Sequence, residues 1–215
     1  MYLVRQKLDQ LTQVVFQKLN QFGAPVERYT DFLIPKAQQH QRIVEAEDGR
    51  KPSFGYRCFL ASNATITGDV VVGDKTSIMY GAKVQGPNTK IGKGSFIADN
   101  CVVGENTEIG NSVTVGSNSV VQGCIIEEGS SIELNSTIEP GAQIQSGAVV
   151  AAGSVVPANV VIPSGQIWGG NPVTYQRVLT EQEKQAISQN CNHWVELGQS
   201  HIEATLARQE FSSQS

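Results

Sequence analysis

Ile109-Gly110-Asn111-Ser112-Val113-Thr114-Val115-Gly116-Ser117-Asn118-Ser119-Val120-Val121 places an aliphatic residue at 109, 115 and 121. The step of six runs far beyond this stretch. Ile66, Val72, Ile78 and Val84 open the series, and after one extra residue Ile91, Ile97 and Val103 lead into it. After one residue fewer, Ile126, Ile132, Ile138, Ile144, Val150, Val156 and Ile162 continue, and Trp168 closes the run. Two residues before most of these stands a small one, among them Ala82, Thr89, Ser95, Cys101, Thr107, Ser119, Cys124 and Ser136. A six-residue period of this kind specifies a parallel β-helix. Each hexad is one short strand and one corner, and three hexads close one triangular turn. The aliphatic side chain points inward and stacks on its equivalent about 4.8 Å away in the next turn. Gly and Asn supply the positive φ that corners need. No single hexad buries its own face, so stability comes from stacking neighbours. The seventeen aliphatic positions and Trp168 make six turns. A β-sandwich would instead show period-two strands, irregular loops and hairpin signals.

The chain has 215 residues and a formal net charge of −4. That length suits one domain with appendages, and the acidic balance argues against a nucleic-acid partner. No run of eighteen apolar residues occurs, so no helix long enough to span a bilayer is encoded. The four cysteines, Cys58, Cys101, Cys124 and Cys191, form no CxxC pair and read as structural thiols rather than a metal site or disulfide framework.

Four segments follow. Residues 1–24 form an N-terminal amphipathic helix with Val4, Leu8, Leu11, Val15, Leu19 and Phe22 on one face, stopped by Gly23 and Pro25. It reads as a docking helix that touches a partner subunit or a membrane surface. Residues 25–57 form an extended arm, residues 58–172 the β-helix, and residues 173–215 a C-terminal helix and tail. Thr180-Glu181-Gln182-Glu183 is a capping box that starts this last helix. Its stripe of Ile187, Trp194, Leu197 and Leu206 is expected along one wall of the coil, with Gly198 as a weak point.

Gly165-Gln166-Ile167-Trp168-Gly169-Gly170-Asn171-Pro172 followed by Leu179-Thr180-Glu181-Gln182-Glu183 resembles the end of the coil in γ-class carbonic anhydrases. Within that class it is most similar to the carbonic-anhydrase-like subunits of mitochondrial respiratory complex I. Ser77-Ile78-Met79-Tyr80-Gly81, Ile97-Ala98-Asp99-Asn100 and Val121-Gln122-Gly123-Cys124 match as well. The resemblance covers about residues 55–205 and implies a left-handed coil. It also implies an enzyme that hydrates carbon dioxide with a metal held by three His at a trimer interface. Three imidazoles suit zinc and leave one position open for an ionisable water.

At the three matching positions this chain carries Gly104, Ser117 and Gln122. The family's Arg-Gly-Asp corresponds to Gln85-Gly86-Pro87, and the Gln before its Asp-Asn corresponds to Ala98. Hydroxyl and amide oxygens do not replace three imidazoles on zinc. The three histidines, His40, His193 and His201, all fall outside the coil positions.

The expectation is therefore a chain without catalytic residues, metal or cofactor. The resemblance implies a structural subunit in a homo- or heterotrimer with other γ-carbonic-anhydrase-like chains. It would bind complex I membrane-arm subunits on the matrix side of the mitochondrial inner membrane, with lipid contact through the N-terminal helix. Alternatives are a hexapeptide-repeat acyltransferase and a stand-alone homotrimeric binding protein. Such acyltransferases commonly use a basic His in a coil loop, and no His lies between Gln41 and Asn192.

Overall fold

The computed structural model describes the backbone of residues 42–44 and 49–212 and the side chains of residues 49–202. The expected N-terminal helix over 1–24, most of the arm, His40, Leu206 as a side chain and the last three residues lie outside the described residues. All described residues belong to the compact unit Pro35–Ser215.

Among the described residues twenty-one short strands, β1 (Arg42–Val44) to β21 (Gln166–Gly169), wind into three parallel walls, and β22 (Thr174–Val178) turns back antiparallel on β21. Sheet A has the order β1-β4-β7-β10-β13-β16-β19, sheet B the order β2-β5-β8-β11-β14-β17-β20, and sheet C the order β22-β21-β18-β15-β12-β9-β6-β3. From β1 to β21 every third strand is a neighbour, as a three-walled coil requires. The aliphatic series aligns turn upon turn: Val84 opposite Val103, Ile109 opposite Ile126, and Ile132 opposite Val150. The coil begins earlier than the expected Cys58. Strands β1, β2 (Ser53–Phe54) and β3 (Phe59–Leu60) add one strand to each wall, and Phe54 pairs with Val72 and Leu60 with Ile78.

The small positions also face inward, and their polar atoms are satisfied across turns. Thr76, Ser95, Ser130 and Ser136 donate their hydroxyls to the carbonyls of Gly92, Gly110, Gln145 and Ala151, all fifteen or sixteen residues further on. Burying a hydroxyl without a partner costs free energy, so Ser and Thr are accepted here because the next turn offers a carbonyl.

Corners take the left-handed conformation at Asn88, Asn100, Asn106, Asn118, Asn135 and Asn159 as well as at glycines. Asn tolerates that region better than other non-glycine residues. Gly92 is needed for another reason, since a Cβ there would fall on the backbone of Gly110 and Asn111 in the next turn.

Among the described residues one helix, α1 (Glu181–Ser212), runs back along sheet C. Thr180 caps it: the Glu183 N–H donates to Thr180 Oγ1 at 3.3 Å, and the Thr180 N–H donates to Glu183 Oε2 at 2.9 Å. Arg177 adds a two-armed hydrogen bond to Glu183 at 2.7 and 2.8 Å. The guanidinium, ahead of the Thr180 donors, holds this carboxyl down at about 2. Cys191 then packs on Gly94, Trp194 stacks on Phe96 with centroids 5.5 Å apart, and His201 packs tilted against Phe59 with centroids 5.3 Å apart. Twenty residues of helix from Glu181 span about 30 Å. The six strand spacings from β21 (Gln166–Gly169) to β3 span about 29 Å. The helix is thus long enough to cover the whole wall.

One expectation for this helix is corrected and one is refined. Gly198 is no weak point: the helix continues through it, and the residue lies directly over Ser77 of β6 (Ser77–Ile78). The buried face of the helix centres on Cys191 and Gly198, whereas Trp194 keeps 40% of its surface exposed.

Candidate functional site

Both breaks in the six-residue period fall at the corner between sheets A and B. The extra residue lies in Gly86-Pro87-Asn88, between β7 (Lys83–Gln85) and β8 (Thr89–Ile91). The missing one lies in Gln122-Gly123-Cys124, between β13 (Val120–Val121) and β14 (Ile125–Ile126). Two of the three ligand-equivalent positions sit on this same corner.

Gly104 follows β10 (Val102–Val103), is buried, and donates its N–H to Val121 O at 2.8 Å. Gln122 follows β13 one turn later, with its side chain exposed and its N–H donated to Ile138 O at 3.2 Å. The two stack directly. A Cβ at residue 104 would stand 2.7 Å from Gln122 Cγ and 3.2 Å from its Cβ. The aliphatic stem of Gln122 therefore occupies the place where a side chain at 104 would begin.

Ser117 is elsewhere. It precedes β13, at the corner between sheets C and A, and its carbonyl accepts the Asn135 N–H at 2.9 Å. Ser117 and Gln122 flank opposite ends of one strand, so one copy of the chain brings Gly104 and Gln122 together but not Ser117.

The positions that match the family's Arg, Asp and Gln are uncharged as well. Gln85 and Pro87 are exposed on the A/B corner, and the Pro87 carbonyl accepts the Asn106 N–H at 2.9 Å. Ala98 is buried. The Glu105 backbone carbonyl accepts the Gly123 N–H at 3.1 Å. Among the described residues no group of three or more His, Cys, Asp or Glu could hold a metal ion. The donor set at the corner, one amide over a glycine, does not fit zinc.

Both described histidines are on α1. His201 Nδ1 lies 3.2 Å from the Tyr80 hydroxyl, beside Phe59, and His193 is exposed against Trp194. They belong to the sheet C side rather than to the A/B corner.

The cysteines are core atoms. Cys101 and Cys124 stand on the inward small positions. Cys58 takes the same role one turn before the series recognised in the sequence, with its thiol 3.1 Å from Gly73 O. Desolvation pushes the thiols up, Cys58 and Cys124 to about 12 and Cys101 to about 11, and burial raises Cys191 too. The folded chain thus holds these protons more tightly than the unfolded one. The associated stability is present below pH 9 and is lost as pH rises toward 11–12. Thiolate is the reactive form, so at pH 8 a thiol reagent should label none of the four cysteines in the native chain and all four in denaturant. Fast native labelling would contradict the burial.

The repeat matches two family patterns, "Bacterial transferase hexapeptide (six repeats)" at residues 88–123 and "Hexapeptide repeat of succinyl-transferase" at residues 123–158. Gamma carbonic anhydrase 1, mitochondrial, of Arabidopsis thaliana is 32% identical over 197 residues, covering 86% of this chain and 71% of the relative. The chain belongs to the γ-carbonic-anhydrase-like family of hexapeptide-repeat proteins. Gamma carbonic anhydrase 2, mitochondrial, from the same plant is 35% identical over 175 residues, or 76% of this chain. The chain spans 63% of that relative's length. Among solved structures, a hexapeptide transferase family protein from Anaplasma phagocytophilum is 31% identical with a TM-score of 0.71, covering 74% of this chain and 97% of that one. The likeness extends across the coil, while the γ-carbonic-anhydrase-like chain described here carries Gly, Ser and Gln at the ligand-equivalent positions.

Proposed function

We propose that this chain is a non-catalytic structural subunit of the γ-carbonic-anhydrase-like family. In this reading it stands in a trimer with related chains on the matrix side of mitochondrial complex I. The observation that carries the reading is the stacking of Gln122 over side-chain-less Gly104, with Ser117 at the far corner. Hydration of carbon dioxide by a zinc-bound hydroxide requires a ligand set that these residues do not form. Partial loss would leave a weak site; here the arginine- and aspartate-equivalent positions, Gln85 and Pro87, have changed as well. The mitochondrial placement is supported by the names of the two plant relatives. What the coil retains is a rigid three-walled block with a sealed core, which suits a docking element.

The test is zinc content and carbon dioxide hydration of the purified chain, beside the G104H/S117H/Q122H variant with its fold checked by circular dichroism. The native chain is expected to hold far less than one zinc and to show no hydration above buffer. Stoichiometric zinc with turnover would sink the reading. For the assembly, the tagged chain should co-migrate with NADH:ubiquinone oxidoreductase on native gels, and migration only as a separate species would count against membership.

A second reading, acyl transfer, is favoured by the likeness to the hexapeptide transferase. The coil offers no histidine to deprotonate an acceptor, and acyl transfer from acyl-coenzyme A to a panel of amines would be its direct assay.

A further inference from the structure

Sheet C is covered by α1, whereas among the described residues no element covers the outer face of sheet B. Three large apolar side chains stand exposed in its single outward column: Val71 at 46%, Ile125 at 43% and Val161 at 45%. The strand register gives the column as Ser53, Val71, Lys90, Glu108, Ile125, Gln143 and Val161, one residue per turn. All seven are exposed. Outward from the gap between Lys90 and Glu108, the column mirrors itself in chemistry. A cation faces an anion, Val71 matches Ile125, and Ser53 matches Gln143.

We propose that two copies of this chain pair face to face and antiparallel through sheet B, about a two-fold axis lying between β8 and β11 (Glu108–Ile109). The axis lies in the contact plane, parallel to the strands and perpendicular to the coil. It brings Lys90 of each copy onto Glu108 of the other, and Val71 of each onto Ile125 of the other. This is an isologous contact, self-complementary in the sense that two-fold symmetry demands.

Other registers do worse. Centring the axis on β11 sets Lys90 against Ile125 and Val71 against Gln143. A parallel pairing sets Lys90 against Lys90 and Glu108 against Glu108, which is repulsive.

A second observation independently selects the antiparallel sense. Residues 49–93 carry seven Lys or Arg against two Asp, while residues 94–176 carry seven Asp or Glu and no Lys or Arg. The coil is therefore charged oppositely at its two ends, and an antiparallel pair sets the basic turns of each copy on the acidic turns of the other. At the corner between sheets B and C, the same axis brings exposed Lys75 toward exposed Glu127 and Glu128 of the partner.

The size of the wall sets the strength. Six strands about 4.8 Å apart and about four residues wide give roughly 400 Å² per copy. A total near 800 Å² falls below the usual range of stable complexes, so the pair is weak and reversible. The contact uses the outer column of sheet B, whereas Gly104, Ser117 and Gln122 flank sheet A, so it does not depend on the proposed function.

The experiment is sedimentation of the full chain over a concentration series at low and at high salt. The expected result is a reversible doubling of the basic unit, whatever its size, favoured by low salt because the charges attract. Both E108K and K90E should weaken the doubling at least about tenfold, and the K90E/E108K double swap should restore it, because it rebuilds the mirrored pair with signs exchanged. Melting curves of the three variants confirm that the coil is intact. A V71C/I125C chain treated with a short bis-maleimide should give covalent pairs, and V71C or I125C alone should not. A unit of constant mass over the series, or a double swap that stays as weak as the single ones, overturns the proposal.

Discussion

An Ile132→Ala variant should lose about 2–5 kcal/mol of folding stability, whereas Ile125→Ala, seven residues earlier, should change it by no more than about 0.5 kcal/mol. Ile132 is 0% exposed and stacks between Val115 and Val150 of the adjoining turns. Truncation leaves a void that two neighbouring layers share, and short strands tied to their neighbours above and below collapse onto it poorly. Ile125 points outward from sheet B and keeps 43% of its surface exposed. Urea melts at high salt, where the pairing of copies is suppressed, measure both variants. For a domain whose total stability is about 5–15 kcal/mol, the first substitution removes a large share. Equal, small effects for both would mean that the inward column is not the source of cohesion.

Gly198→Ala should destabilise the chain by about 1–3 kcal/mol, although helix propensity alone favours Ala by up to about 1 kcal/mol. The structure reverses the sign. A Cβ at 198 would overlap Ser77 Oγ and stand 2.8 Å from Ser77 Cβ. Rotating the hydroxyl relieves the first contact but not the second, so α1 must lift from sheet C. The expected signs are lost amide-exchange protection over residues 191–202 and a red-shifted Trp194, whose ring otherwise stacks on Phe96. Ser77→Gly removes both offending atoms and should recover much of the loss in the double variant. A G198A chain as stable as the parent would show that the helix rides higher on the wall than the structure has it.

The contrast at Gly198 shows why some features were legible and others were not. The inward aliphatic positions announced themselves because a coil repeats one environment every six residues. The same holds for Cys101 and Cys124, which fell on small positions and proved to be core. Cys58 was read as a structural thiol but not placed on the repeat, although Phe54, Leu60 and Ile66 keep the step of six. The capping box at Thr180 was readable because its partners are three residues apart. The face of α1 was legible in part, since the expected Trp194 does stack on Phe96 of the wall. The residues pressed most closely on the wall are small ones, Cys191 and Gly198. Small residues in a helix carry no signal until the opposing surface is known.

The ligand-equivalent positions divide in the same way. That Gly104, Ser117 and Gln122 bring no imidazole followed from residue identity. That Gln122 lies over Gly104 while Ser117 sits at another corner required the turns to be stacked, because the contact spans eighteen residues of chain.

By itself the sequence determined the three-walled coil, its inward column and the start of its last helix. Each of those depends on local spacing and on one environment repeated many times. Only the tertiary structure decided which wall the helix covers, why Gly198 must be glycine, and which outward residues line up on sheet B. Those depend on contacts between residues far apart in the chain, where the packing of one turn on the next sets the partner and residue spacing carries no direct record of it.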